Sequence, residues 1–448
     1  MNSAPTREAR FVEGSTMRHV VVMTFTGAIG LMSMFLVDLA DLFYLSLLGK
    51  TEITAAIGYA GTIVFTNLSL CIGTGIATSV LVARNLGARR PERAREFATS
   101  CFMYSCILSA IYSLIIALTS DWLLRLLGAQ GEALHLAKQF IWIASPGFVL
   151  LAGAVACSFA LRGLGDARRA MYVTLIVAII IAILDPIFIF GLGWGIQGAA
   201  LAGVLADLGS LAIGFHGVQR VHGFFAPPSW ARLRADMREI TEIAAPAMLT
   251  QLAMPFANAY ATRAVAQFGN EVVAAAAIVG RIVPVAFGII FSLSGSVGPI
   301  IGQNFGAGAY GRVRRTLTDG LIFATLYTLM TSLLLFLFRH EIAALFSATG
   351  RTTDLVLFFC SFIAGSWAFA GAQFVSSAAF NNLGHPNIST LFNWGKATLG
   401  TIPFAIYGAH IAGPEGVMAG MALGSVIFGV ASVAWAYRIV AKVEQQAA

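Results

Sequence analysis

Charge is what this chain has least of. Of its 448 residues, 11% are Asp, Glu, Lys or Arg, where an ordinary water-soluble domain carries about 25%. So little charge excludes a water-soluble fold of this length. Cysteine is scarce as well. Cys71, Cys101, Cys106, Cys157 and Cys360 all fall in apolar runs. None has a metal-ligand spacing such as C-x-x-C, and no disulfide framework can be read. The seven histidines are scattered, and "RHEIAAL" (339–345) lacks the second His of a zinc-protease helix. "LGKT" (48–51) offers Gly-Lys-Thr, but Tyr44 stands where a Walker sequence needs its earlier Gly. Enzyme and motor chemistry thus have no positive support, and neither a metal nor a cofactor is expected. The polar first 16 residues precede a run too long for a signal-peptide core, so the N-terminus is expected to be retained.

What the chain does have is apolar length. Hydrophobic residues make up 58%, and mean hydropathy is +0.81. Runs of about 20 residues, enough to cross a hydrocarbon core of about 30 Å, recur throughout. Twelve are expected, roughly 18–48, 53–82, 96–119, 134–160, 170–192, 196–218, 241–267, 272–302, 316–338, 354–380, 388–408 and 416–440. The loops test that count. Arg84, Arg89, Arg90, Arg93 and Arg95 share one side with Arg162, Arg168 and Arg169, with Arg220, Arg232, Arg234 and Arg238, and with Arg312, Arg314 and Arg315. The other side has charge-poor connections such as "GLGWGIQG" (191–198). The positive-inside rule makes the basic side cytoplasmic, with both termini there. The net charge of +7 is therefore explained by topology, and no nucleic-acid partner is expected. The implied location is the inner membrane, multi-pass.

The sequence also repeats. "ARNLGARRPERAR" (83–95) resembles "GQNFGAGAYGRVR" (302–314), "RGLGD" (162–166) echoes "NNLGH" (381–385), and "DPIFIFG" (185–191) echoes "IPFAIYG" (402–408). "LGKTEITAAIGYAGTI" (48–63) finds its counterpart in "FGNEVVAAAAIVGRI" (268–282). All four recur at a shift of 217–220 residues. Six spans per repeat is an even number, so the halves enter from the same side and are parallel repeats about an axis along the membrane normal. The expected fold is an all-α membrane protein of twelve transmembrane helices in two six-helix repeats with a central cleft. Its expected parts are an N-terminal tail (1–17), a first lobe (18–218), a linker (219–240) marked by "FAPPSW", a second lobe (241–440) and a C-terminal tail (441–448).

Ionisable residues inside a membrane are functional hypotheses by default. Asp41 lies about 12 Å inward of Gly49, Asp185 about 9 Å inward of Gly191, and Asp207 about 14 Å inward of Gly198, at 1.5 Å per residue. These three are expected to share one band in the outer half of the first repeat, with Asp38 one turn below Asp41. Ile402 replaces Asp185 in the second repeat, and Tyr260 replaces Asp41. Candidate cleft residues are Tyr44, Asn67, Asn258, Tyr260, Arg281, Gln373 and Lys396. Around Asp185, helical spacing offers only the apolar Ile181, Ala182, Phe188 and Ile189. Sodium needs about five or six oxygens in place of its water, so protons suit the cluster better.

"VLVARNLGARRPERAR", "RGLGDAR", "DPIFIFGLGWGIQGAALA" and "PIIGQNFGAGAYGRVRR", with the Asp41-to-Gly49 stretch, resemble the multidrug and toxic compound extrusion family over roughly 20–440. The resemblance implies two six-helix lobes, and export of organic, often cationic compounds driven by inward proton or sodium flow. It places Asp41 and Asp185 on the family's first- and fifth-helix carboxylates; Asp38 and Asp207 rest on depth and spacing alone. Ile181 and Gly203 stand where some sodium-binding relatives have Asn and Thr, and the first helix lacks proline, so a bend there would need Gly27 or Gly30. The lead expectation is a monomeric drug/proton antiporter in contact with lipid. Sodium coupling, a flippase for a lipid-linked or polymeric substrate, and an intramembrane enzyme or receptor are the alternatives.

Overall fold

The computed structural model describes residues 8–46 and 51–447; at 38–43, 45, 46, 51 and 447 it describes the backbone and not the side chains. Among the described residues the chain is all helix, with no strand. In order come α1 (Thr16–Ser46), α2 (Thr51–Gly87), α3 (Pro91–Leu126), α4 (Gly131–Ala144), α5 (Gly147–Gly163), α6 (Ala167–Pro186), α7 (Gly195–Phe215) and α8 (Trp230–Ala266). There follow α9 (Asn270–Gly306), α10 (Tyr310–Leu337), α11 (Arg339–Leu345), α12 (Gly350–Phe358), α13 (Trp367–Asn382), α14 (Pro386–Ala397) and α15 (Ile402–Ala447).

Nine described helical stretches are long and apolar enough to cross a membrane, and the pair α4–α5, bent by 53°, makes ten. Pro146 sits at that bend. The charged first turns of α8 dilute its hydropathy, but its 37 residues are more than enough for a span. α15 is two helices joined at Ala412–Gly413, where Gly413 has φ 59° and ψ −138°, a conformation only glycine adopts at no steric cost. With α8 included and α15 divided, the described residues form twelve spans, the number the sequence implies.

Contacts divide the chain into two units. One holds Ile29–Met248; the other holds Arg10–Ala28 together with the chain from Leu249 on. This differs from the expected lobes of 18–218 and 241–440. The boundary falls inside α1 and inside α8, not in the 219–240 linker. Each of these helices is bound by one unit along its first half and by the other beyond it. The reason is side-chain chemistry. Thr16 Oγ1 of α1 donates to Asp319 of α10, and Ser292 Oγ of α9 donates to the Thr24 carbonyl. Asp236 of α8 is held by α3, through Arg93 and Ser100. The unit boundary in α1 lies between Gly27 and Gly30. α1 is helical through both glycines. Gly30 allows close packing, since a Cβ there would overlap the Thr174 side chain of α6.

Within the first unit, Ile53, Ile63, Leu124, Ile141, Phe148 and Ile189 form one buried cluster, and Val82, Leu86, Leu161, Val173 and Phe224 another. Large apolar side chains also point outward, among them Leu118 at 78% exposure and Phe362 at 74%. That pattern fits a surface bathed by hydrocarbon. In the second unit the last two spans touch backbone to backbone. A Cβ on Gly416 would overlap the carbonyl of Gly408, one on Gly420 that of Phe404, and one on Gly424 that of Gly400. Small residues at such crossings let membrane helices gain packing without a hydrophobic drive.

Gly424→Val forces the two backbones apart and should cost on the order of 1–3 kcal/mol of packing. The melting temperature of the detergent-purified protein should drop clearly. Gly280→Ala, which meets nothing within 4 Å, should leave it unchanged.

Candidate functional site

The site is built on α6. Asp166 starts this helix, its side chain accepting the backbone N–H of Arg169 at 3.1 Å, an N-cap that satisfies a free donor. The helix then runs through an apolar stretch to Asp185, which is 1% exposed. Pro186 follows at once. It has no N–H to give and its ring clashes with the preceding turn, and the chain continues as a π-helical turn, Ile187–Gly191. Such turns favour functional positions inside helices. Leu192 donates to the Ile187 carbonyl at 2.9 Å, and Trp194 to that of Phe188 at 3.0 Å, so the loosened backbone remains satisfied.

Register brings α1 to the same place. Gly30 packs on Met171 and Thr174, and the Tyr44 ring lies 6.1 Å from that of Phe190. Both contacts set α1 beside α6 in parallel at an offset of about 144–146 residues, which makes backbone position 41 level with Asp185. The side chains of Asp38 and Asp41 lie outside the described residues. Tyr44 itself is half-buried against the Ile53–Ile189 cluster.

Asp207 is elsewhere. On α7, Gly198 packs against Phe188, Gly209 against Ile180, and Ser210 donates to the Val173 carbonyl at 2.7 Å. This antiparallel register sets Asp185 beside residues near 200 and Asp207 some six or seven residues away, about 10 Å at 1.5 Å per residue. The expected single band of three acids therefore separates into a pair of positions, 41 and 185, and a lone Asp207. Counting from loop ends missed this because Gly198 packs level with Phe188, three residues inward of Gly191, so the two counts start at different depths. Asp207 is half-buried beside α5, its Oδ2 lying 3.6 Å from where a Cβ on Gly147 would sit.

Two candidate cleft residues are interior to their units. Asn67 is fully buried and accepts a hydrogen bond from Ser109 at 3.1 Å. It belongs to a polar seam between α2 and α3, where Cys71 faces Ser109 and Thr74 meets Ser105 at 2.8 Å. Gln373 is 2% exposed and donates to the Phe392 carbonyl at 3.2 Å. Neither lines open space. Asn258 and Arg281 are exposed, and Tyr260 and Lys396 half-buried. Lys396 stands just before the break between α14 and α15, and its carbonyl is capped by Thr401 at 2.9 Å. Sequence reading did not single out Asp236 or Asp319, both buried acids. Asp319 follows the repeated Asn…Arg loop by a few residues, and Asp236 sits among the arginines of the 219–240 stretch, where an acid reads as ordinary surface charge. Among the described residues no group of three His, Cys, Asp or Glu could hold a metal ion.

Twelve spans from a duplicated chain, with a buried carboxylate at a helix break, define a polytopic membrane transport protein. The MatE family model matches it twice, at residues 28–187 and 246–406, and the 218–219 residue shift between the matches is that of the sequence echoes. The chain belongs to this family, the multidrug and toxic compound extrusion transporters, and is not an enzyme. It is 29% identical to a FAD transporter of Shewanella oneidensis over 94% of both chains, and 24% identical to the multidrug export protein MepA of Staphylococcus aureus over 81% of both. Its fold matches that of VcmN, a Vibrio cholerae MATE transporter bearing an Asp-to-Asn substitution, with a TM-score of 0.90 at 24% identity over 96% of this chain and 97% of that one. An outward-facing MATE family transporter matches with a TM-score of 0.91 at 23% identity over 98% and 99%.

The cap of α6 gives a pH test. Burial alone would raise the Asp166 pKa. Hydrogen bonds from His222, 2.8 Å away, and from Arg169 outweigh it and hold the carboxyl well below its ordinary value. A lowered pKa stabilises the fold above the unfolded value of about 3.9 and loses that effect as pH falls below it. Asp166→Asn should therefore lower the melting temperature at neutral pH. The gap to wild type should narrow when the protein is melted below about pH 4.

Proposed function

We propose that this chain is a secondary antiporter that exports organic compounds in exchange for protons, which Asp41 and Asp185 load and release. The observation that carries this reading is the buried Asp185 carboxylate, level with backbone position 41 and next to the Pro186 break. A charge so placed is costly in a low-dielectric interior, and a bound proton removes that cost. Two acids at one level titrate as a coupled pair rather than as separate sites. Deprotonation then favours a rearrangement that returns the charges to water. That differential is what lets an ion gradient bias two conformations. Sodium is the less suitable ion, because Ile181, Ala182, Phe188 and Ile189 supply no side-chain oxygen. The protein would sit in the inner membrane as a monomer, both termini cytoplasmic.

The substrate has two readings. The family supports a cationic or amphipathic organic compound. The Shewanella FAD transporter, similar along nearly the whole chain, supports an anionic flavin nucleotide. Arg281, exposed in the second unit, and the half-buried Lys396 favour the anion on charge grounds.

Everted vesicles loaded against ethidium or FAD test both points. An imposed proton gradient should drive uptake, and an outward sodium gradient at fixed pH should not. Asp185→Asn and Asp41→Asn should reduce uptake to background at normal membrane levels. Sodium-driven uptake indifferent to pH, or full uptake by the Asn variants, would refute proton coupling through these two acids.

A further inference from the structure

The first halves of α1 and α8 carry matching but inverted fastenings. Met17-Arg18 and Met237-Arg238 correspond at a shift of 220 residues, within the range of the other echoes, so Thr16 and Asp236 are equivalent positions. Ser100 and Asp319 are equivalent at 219, as are Arg93 and Arg312. In the first unit the buried carboxylate of Asp236, on α8, accepts Ser100 Oγ and Arg93 Nη2, both at 2.6 Å. In the second, the carboxylate stands on the other partner: Thr16 Oγ1, on α1, donates to Asp319 of α10, both side chains being buried. Hydroxyl and acid have changed places between the repeats while the hydrogen bond is kept.

Arg312 differs accordingly. With no acid at position 16 to meet, its guanidinium donates to the Phe11 carbonyl at 2.8 Å, the Gly14 carbonyl at 3.0 Å and Asn304 Oδ1 at 2.8 Å. Gln303 and Asn304 complete the hold on Phe11 through its N–H and carbonyl, at 2.9 and 3.1 Å. The start of α1 is thus fixed in the second unit, while the part of the same helix bearing position 41 belongs to the first.

We propose that Asp319 and Asp236 are positioning residues for transport, each fastening the first half of a helix shared between the two units. The Thr16–Asp319 fastening sets the placement of α1, and with it position 41. A rearrangement of one unit then acts through α1 and α8 on the other. This holds whichever ion drives transport and whichever substrate is carried.

The inversion supplies its own test. Thr16→Asp sets two buried carboxylates against each other, and Asp319→Ser leaves two hydroxyls. The double variant Thr16→Asp/Asp319→Ser recreates the arrangement of the first unit. Turnover and KM are measured in everted vesicles with whichever of ethidium and FAD the wild-type protein carries, at matched membrane levels, with melting temperature in parallel. Turnover should fall at least about tenfold in Thr16→Asp, as expected when buried charges lose their compensation. It should fall less in Asp319→Ser and return to within about twofold of wild type in the double variant, with KM unchanged. If Thr16→Asp fails to insert, Asp319→Ser and the double variant decide the matter. A double variant no better than the worse single change, or single changes that lower melting temperature and leave turnover intact, would overturn the proposal.

Discussion

Hydrocarbon offers no hydrogen bonds, and every polar group in the spans must find a partner inside the protein or serve a purpose that justifies its cost. That one constraint orders the structure. It makes the described chain helical throughout. It draws Asn67, Cys71, Thr74, Ser105 and Ser109 into a seam between α2 and α3. It places glycines where the last two spans cross, so that backbones meet directly. It also marks where a buried acid is costly. Asp185 precedes a proline inside a span, and the π-helical turn after it keeps the remaining backbone satisfied. An acid and a helix break coincide there.

Duplication gives the fold its second property. The two repeats share a plan, yet the chemistry is divided between them. Asp185 in the first answers to Ile402 in the second, and both are followed by proline. Lys396 approaches a break in the second repeat that comes before the repeat's proline, Pro403, where the first repeat breaks after Pro186. The buried acid at the helix break belongs to the first repeat, and the second has an apolar residue in its place. α1 and α8 tie them together, since each begins in one unit and ends in the other.

Much of this was legible in the residues. Composition gave the membrane, loop arginines gave the alternation of spans, and four echoes at one offset gave the repeat that the family model then matched twice. Asp185 was visible because an acid in an apolar run has few innocent explanations. What the sequence hid was lateral geometry. Asp207 looked level with Asp185 because depth was counted from loop ends, and only the packing of Gly198 on Phe188 and Gly209 on Ile180 shows the offset. Asn67 and Gln373 are cleft candidates on sequence as polar residues within spans. Each is buried and makes a side-chain hydrogen bond within its own unit, Asn67 with Ser109 and Gln373 with the Phe392 carbonyl. The exchange of helix halves left no pattern in hydropathy at all. It depends on a few hydrogen bonds, Thr16 to Asp319 and Ser100 to Asp236, between residues hundreds of positions and over a hundred positions apart.

The central claim is that the acid pair at positions 41 and 185 exchanges protons for substrate. Adding substrate to the purified protein in weakly buffered detergent solution, and following a pH indicator, tests it directly. Proton release that saturates with substrate and is lost in Asp185→Asn, which still binds substrate, is the result this account predicts. Substrate binding without proton release from the wild-type protein, across the pH range in which it transports, would contradict it.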